Sequence, residues 1–253
     1  MKIIQNELSK IPRAPCDIDD LSDLPFIPRP PLPIKSFAML IVGSPGSGKT
    51  NLLLSLLMTK GKKKYYYKFF DKIYLMSGSL ATLPKKFVEK LPEEQVYNEF
   101  KDDYLVATIN ALKDGPNHNS LLVLDDVIRS ISRSKNLSKV FLNRRHITHN
   151  DQEEGNGGLS IMVTSQKFNL LNLEFRNSMS DVIIFKSSNG QELKAVKDEL
   201  MVDLSPELQD KLLKEAWKEK YSFLMIKPNN DIQNKYFIKF DKVEFDENDL
   251  NSR

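Results

Sequence analysis

An α/β fold, a mostly parallel sheet flanked by helices, is predicted for this 253-residue chain by three observations. Short apolar runs of strand length alternate with longer amphipathic stretches. The runs are apolar throughout, as strands covered on both faces are. One run, residues 37–42, passes through a glycine-rich turn straight into an apolar helical stretch, a strand–turn–helix unit.

Composition sets the bounds. With 40% hydrophobic and 28% charged residues, the chain reads as one large soluble domain with modest extensions. The net charge of +3, from 37 basic and 34 acidic residues, does not by itself indicate nucleic acid, although a basic patch is compatible with it. The single cysteine, Cys16, excludes an intrachain disulfide and fits a reducing compartment. It lies in a polar, proline-rich segment with no partner base and reads as an unreactive surface thiol. The opening "MKIIQNELSKIPRAPCDIDD" carries acids and a proline too early for a secretory signal. No apolar run reaches the roughly 18 residues of a membrane span. A soluble protein, not exported by the classical route, is expected.

The elements follow in order. Residues 1–36, including "LPFIPRPPLPIKS", form a proline-rich N-terminal arm that is extended because proline fixes φ and removes a donor. An arm lying across this domain or a neighbouring subunit is favoured over a ligand for small adaptor domains. Strands are expected at "FAMLIV" (37–42), "KIYLMS" (72–77), "LLVLDD" (121–126), "LSIMVTS" (159–165) and "DVIIFK" (181–186). Helices are expected near 49–60, 83–92, 130–144 and 190–200. "SPELQDKLLKEAWKEKY" is a further helix, with a serine cap and proline at the first helical position. "YSFLMIK" and "KYFIKF" flank "PNNDIQN" and read as a C-terminal hairpin at a sheet edge. The tail 246–253, "DENDLNSR", is expected to fray. "KGKKKYYYKFFDK" (60–72) interleaves lysines with aromatics and fits either nucleic acid or a helix end followed by a strand entry.

The chemistry begins at residue 43. Gly43, Ser44, Pro45, Gly46, Ser47, Gly48, Lys49 and Thr50 fit G-x-x-x-x-G-K-[ST], and Asn51, next on the helix, is counted with them. Phosphate oxygens need several backbone N–H groups converging on them, and glycine lets the chain bend that tightly. The helix beginning at Lys49 turns its positive end to the same phosphates. Lys49 then reaches the β- and γ-phosphates and the Thr50 hydroxyl coordinates Mg²⁺. The segment is a nucleotide-binding P-loop.

A P-loop needs an acid for its magnesium. "SLLVLDDVI" offers Asp125 as the metal-side carboxylate and Asp126 to polarise the attacking water, both at the C-terminal end of a strand. "SIMVTSQKF" ends its strand at Gln166, which stands beside the γ-phosphate if the two strands are neighbours. "FLNRRHITHN" (141–150) and "LEFRNSMSD" (173–181) flank that strand. Arg144, Arg145 and Arg176 can each neutralise transition-state charge, contact DNA phosphates or simply be solvated, and at least one is expected to function. Arg176 is favoured as an arginine completing a neighbour's site, and the Arg144–Arg145 doublet as facing DNA. His146 and His149 lack a third ligand nearby, so no zinc site is expected.

The ordered set "FAMLIVGSPGSGKTNLL", "FDKIYLMSGS", "LLVLDDV", "RRHITHN", "IMVTSQKFNLL" and "FRNSMSDVIIF" resembles the genome-packaging ATPases of large DNA viruses, virophages and related transposable elements. These are a viral branch of the FtsK/HerA superfamily. The likeness spans roughly residues 34–190. It implies an ASCE-type P-loop fold, ATP with Mg²⁺, a homo-oligomeric ring, and movement of double-stranded DNA without sequence preference; the ATPase domain is expected to run over residues 37–245, with the C-terminal hairpin a looser match to the family. Capsid or portal-vertex partners are implied too, with action in the host cytoplasm, the virus factory or the virion. Lys49, Thr50, Asp125, Asp126 and Gln166 fall on the matching positions. Asp126 departs from the many relatives that carry Glu there. A GTPase-like switch lacks an N-K-x-D motif, a small-molecule kinase lacks an evident lid and acceptor pocket, and an ABC ATPase lacks an L-S-G-G-Q-like signature.

Overall fold

Successive residues of a strand point to opposite faces, so a run that is apolar at every position must bury both. Residues 38–42 do this: Ala38, Leu40 and Val42 enter the core on one side of a sheet, Met39 and Ile41 the core on the other. The structure, a computed structural model, describes residues 1–10, 27–61, 64–113, 119–147, 158–246 and 249. Its regular elements are β1 Lys2–Ile4, β2 Ala38–Val42, α1 Lys49–Met58, β3 Lys72–Ser77, α2 Lys85–Val88, β4 Val96–Tyr97, α3 Asp102–Lys113, β5 Asn119–Asp125 and α4 Ile128–Ile131. There follow α5 Lys135–Asn143, β6 Gly158–Ser165, α6 Leu173–Asn177, β7 Asp181–Phe185, α7 Gly190–Leu200, α8 Pro206–Ala216, β8 Phe223–Ile226, β9 Tyr236–Ile238 and β10 Asp241–Glu244.

One ten-stranded sheet runs in the order β1-β10-β9-β8-β7-β2-β6-β5-β3-β4. From β7 to β4 neighbouring strands are parallel. From β7 back to β1 they are antiparallel. β6 lies between the P-loop strand β2 and the Asp125 strand β5, pairing Val42 with Ser165 and Leu124 with Val163. That inserted strand is the ASCE arrangement. α1 covers one face, with Tyr65, Tyr66 and Phe87. α3, α5, α7 and α8 cover the other. Among the described residues no helix is long and apolar enough to cross a membrane.

Several boundaries differ from the sequence reading, each for a local reason. The helix expected at 83–92 is only Lys85–Val88, entered from Pro84 in extended geometry. The one expected at 130–144 is broken: Ser134 is extended, accepts the Leu137 amide and restarts the helix as α5. The C-terminal hairpin is present as β8 and β9, and β10 and then β1 extend the sheet beyond it.

Of the aromatics in the lysine–aromatic segment, three are buried and Tyr67 and Phe69 are half-buried. Tyr65 and Tyr66 are each 1% exposed, with Phe70 also in the core, so these rings cannot stack on bases. Their hydroxyls donate to arm carbonyls, Tyr65 to Leu8 at 2.9 Å and Tyr66 to Pro33 at 2.8 Å. In the segment expected to fray, Asp249 receives the Met1 ammonium. Cys16, Lys62, Lys63 and His149 lie outside the described residues.

Candidate nucleotide site

Parallel pairing brings the C-terminal ends of β2, β6 and β5 side by side, and with them Gly43, Gln166 and Asp125. The turn after β2 is fastened at its base by the Gly43 amide, which donates to the Ser165 carbonyl at 3.0 Å. Gly48 then caps α1 with φ at +108°, a left-handed conformation that an L side chain rarely adopts. α1 has no side-chain cap and no acid in its first turn, so no carboxylate of the helix itself competes with an anion for its positive dipole end. Ser47 Oγ is buried without a hydrogen-bond partner. A polar atom in that state is costly unless a ligand oxygen meets it, so the cradle fits a phosphate.

Lys49 folds over this turn. Its ammonium donates to the Gly43 carbonyl at 2.5 Å and the Ser44 carbonyl at 3.2 Å. Burial lowers its pKa, while the charges of Asp126 and Asp125 pull it back up. The lysine and both acids therefore share one electrostatic field.

Asp125 ends β5 and is 3% exposed. Its carboxylate accepts Thr164 Oγ1 at 2.6 Å on one oxygen, and Ser77 Oγ at 2.9 Å and Ser79 Oγ at 3.2 Å on the other. These hydroxyls compensate a buried charge and fix its orientation. Asp126 is exposed at φ +54°, and its amide donates back to Thr164 Oγ1 at 3.1 Å. Gly78 permits this turn, because a Cβ there would stand 2.8 Å from the Asp126 carbonyl. Gln166 Nε2 donates to Asp126 Oδ1 at 3.2 Å, so sensor amide and candidate base are in direct contact.

Among the described residues no cluster of three or more His, Cys, Asp or Glu side chains could hold a metal alone. Asp125 and the Thr50 hydroxyl are hard oxygen donors of the kind that share Mg²⁺ with substrate phosphates and water, and they fit that ion.

Of the three candidate arginines, Arg144 and Arg145 follow α5 and Arg176 lies on α6, in the crossover leading to the start of β7. Its guanidinium forks onto Glu199 of α7, both N···O distances 2.7 Å, and donates to the Leu171 carbonyl at 2.5 Å. It also lies 5.1 Å from the Phe168 ring centroid, and only 12% of its side chain is exposed. Arg176 thus holds α6 to α7. Arg144 is half-buried, donating to the Ser36 carbonyl at 2.7 Å and the Phe141 carbonyl at 2.5 Å. Arg145 and His146 are exposed.

Sequence reading missed Ser77, Ser79 and Thr164. The available signal was hydroxyl residues at the ends of strands adjoining the Asp125 strand, as "LMSGS" and "MVTS" show.

A family model for the poxvirus A32 protein matches residues 27–227. The chain belongs to the poxvirus A32 protein family. Among curated proteins, no sequence matches. Solved structures place this A32-family chain on a shared fold. The genome packaging NTPase B204 of Sulfolobus turreted icosahedral virus 2, in complex with sulfate, has a TM-score of 0.55 at 18% identity. The match covers 82% of this chain and 96% of that one. The same protein in complex with ATP-gammaS gives 0.54 at 14% identity, over 82% and 97%. B204 of Sulfolobus turreted icosahedral virus, described as a DNA-packaging ATPase, gives 0.55 at 15% identity, over 84% and 100%. The A32-family chain has the P-loop NTPase fold.

Proposed function

We propose that this protein is an ATP-hydrolysing motor that moves double-stranded DNA into a preformed viral capsid. The observation that carries the reading is the meeting of Lys49, at the start of the helix after β2, with Asp125, Asp126 and Gln166 at the ends of neighbouring strands in a member of the A32 family. Relatives of the same fold described as packaging NTPases support it.

In this reading the P-loop from Gly43 to Asn51 binds the triphosphate, and Lys49 bridges its β- and γ-oxygens. Thr50 and Asp125 would hold Mg²⁺ together with the phosphates, and the ion would supply charge neutralisation at the transferring group. Gln166 orients a water in line with the γ-phosphorus. As its oxygen bonds to that phosphorus, the bond to the bridging oxygen breaks and the water's proton passes to the Asp126 carboxylate. Asp126 is one methylene shorter than Glu, and its left-handed backbone together with the Gln166 contact offers a way to present the shorter carboxylate.

Copies of the chain act as a ring engaging a capsid or portal-vertex protein, in the host cytoplasm, the virus factory or the virion. The transition-state arginine is not assigned to Arg176, whose guanidinium is committed to Glu199. The exposed Arg145 is the better-placed candidate, for DNA phosphate or a neighbour's nucleotide.

The test is steady-state ATP turnover with and without duplex DNA across a salt series. We expect duplex to raise turnover irrespective of sequence, and log affinity to fall linearly with log salt, losing close to one unit of slope per neutralised phosphate. Turnover indifferent to duplex at every salt would reduce the protein to a nucleotide switch.

A further inference from the structure

Beside the phosphate loop lies a cleft of about 690 Å³, lined by residues 44–47 of the loop, by Gln166 and by the turn 217–222 that joins α8 to β8. Its size suits a small-molecule ligand. Tyr221 stands at its mouth, 57% exposed. The Tyr221 ring lies against the P-loop: Cδ1 is 3.5 Å from where a Cβ on Gly48 would be. The Lys220 ammonium lies 4.8 Å from the ring centroid, a cation–π contact on that ring.

The backbone under this ring is the unusual feature. Tyr221 has φ +65°, in the left-handed region where turns ordinarily place glycine or asparagine. A bulky aromatic residue there destabilises the turn, and its exposed ring recovers little by burial. Strain of this kind collects where a side chain is needed for a ligand.

We propose that the cleft holds the base and ribose of the nucleotide whose phosphates the loop cradles, with Tyr221 as the face on which the base stacks. The inference rests on the nucleotide reading of the P-loop and extends it from the phosphates to the base and ribose. The triphosphate is anchored by backbone amides and Lys49. The base is anchored by an aromatic ring rigidly presented by a strained turn.

The experiment is isothermal calorimetry of the full chain with Mg-ATP and, separately, with magnesium and inorganic tripolyphosphate. Tyr221→Ala is expected to weaken ATP about tenfold, as loss of one base–aromatic stack does, and to leave tripolyphosphate affinity unchanged. Tyr221→Phe keeps the ring and is expected to restore the ATP affinity. Tyr221→Gly removes ring and strain together, so its melting temperature rises while its ATP affinity falls with that of Tyr221→Ala. A purely structural tyrosine could not move those readouts in opposite directions. Lys49→Ala should weaken both ligands. Tyr221→Ala binding ATP as tightly as wild type, or losing tripolyphosphate in the same proportion, overturns the base subsite while the phosphate site stands. A wild-type chain that binds neither ligand overturns the nucleotide reading itself.

Discussion

Thr164 joins the two acids of the candidate site through a single oxygen. It donates to Asp125 and accepts from the Asp126 amide, at 2.6 Å and 3.1 Å. Thr164→Val keeps the shape but leaves the Asp126 amide unpaired and Asp125 one hydroxyl short. The expected cost is about 1–3 kcal/mol of stability, with kcat falling more than KM rises because Asp126 loses its fixed orientation; a thermal melt and steady-state kinetics check both. Asp126→Asn removes charge but little volume from an exposed position. Mg-ATP binding should persist while turnover falls roughly 100-fold or more, the usual contribution of a positioned base. Turnover at the wild-type rate would move that role to another residue. Lys49→Ala should abolish hydrolysis with a near-wild-type circular-dichroism melt. Burial already disfavours the Lys49 ammonium, so the fold gains little from it.

At the scale of elements, the Arg176–Glu199 fork is where expectation and geometry part. α6 is a five-residue helix, too short to be stable alone. Phe175 against Phe141, ring centroids 5.1 Å apart, and the fork onto α7 hold it in place. Arg176→Ala should therefore destabilise the protein by about 2 kcal/mol and leave turnover of the folded protein near wild type. A variant that melts like wild type yet has lost turnover would return Arg176 to the reaction. The sequence could not show this, because Glu199 lies 23 positions away and nothing local ties the two. For the same kind of reason α3 went unread: "DDYLVATINALK" carries Val106, Thr108 and Ile109, which lower helix propensity, and only packing of Leu105 and Leu112 selects the helix. The P-loop, the Asp125 strand and the Gln166 strand were legible because their chemistry is local, a strand followed at once by its functional residue. The short strands β1, β4 and β10 are two to four residues long and leave too little periodicity to read.

At the scale of the whole molecule, the parallel and antiparallel halves of the sheet meet at β7 and β8. Asp181, which starts β7, is 1% exposed and pairs with Lys227, just past β8, at 2.5 Å. Burial raises the Asp181 pKa, while the Lys227 charge and hydrogen bond work against that rise. A carboxyl whose folded pKa is raised favours folding most when protonated, so its contribution declines as pH climbs from the unfolded value through the folded one. Lys227→Met should accentuate this. At neutral pH it leaves a buried carboxylate unpaired and should cost about 3–5 kcal/mol, whereas in mild acid Asp181 takes up a proton and much of the loss should disappear. Melting curves of wild type and variant at both pH values test the sign; an equal loss at each would mean that Asp181 is not the group responsible.

The two outermost strands have a consequence for how copies of this chain can associate. A sheet margin is a template, a row of unsatisfied amides and carbonyls that another chain can zip onto. Among the described residues one margin is β4, two residues long, and the other is β1, three residues long with Lys2 and Ile4 exposed. Neither offers enough consecutive backbone for a second molecule to continue the sheet. Ring building by strand exchange is thereby disfavoured, as is runaway fibril growth. In the ring proposed above, copies would therefore meet through helices and turns rather than by continuing a backbone ladder.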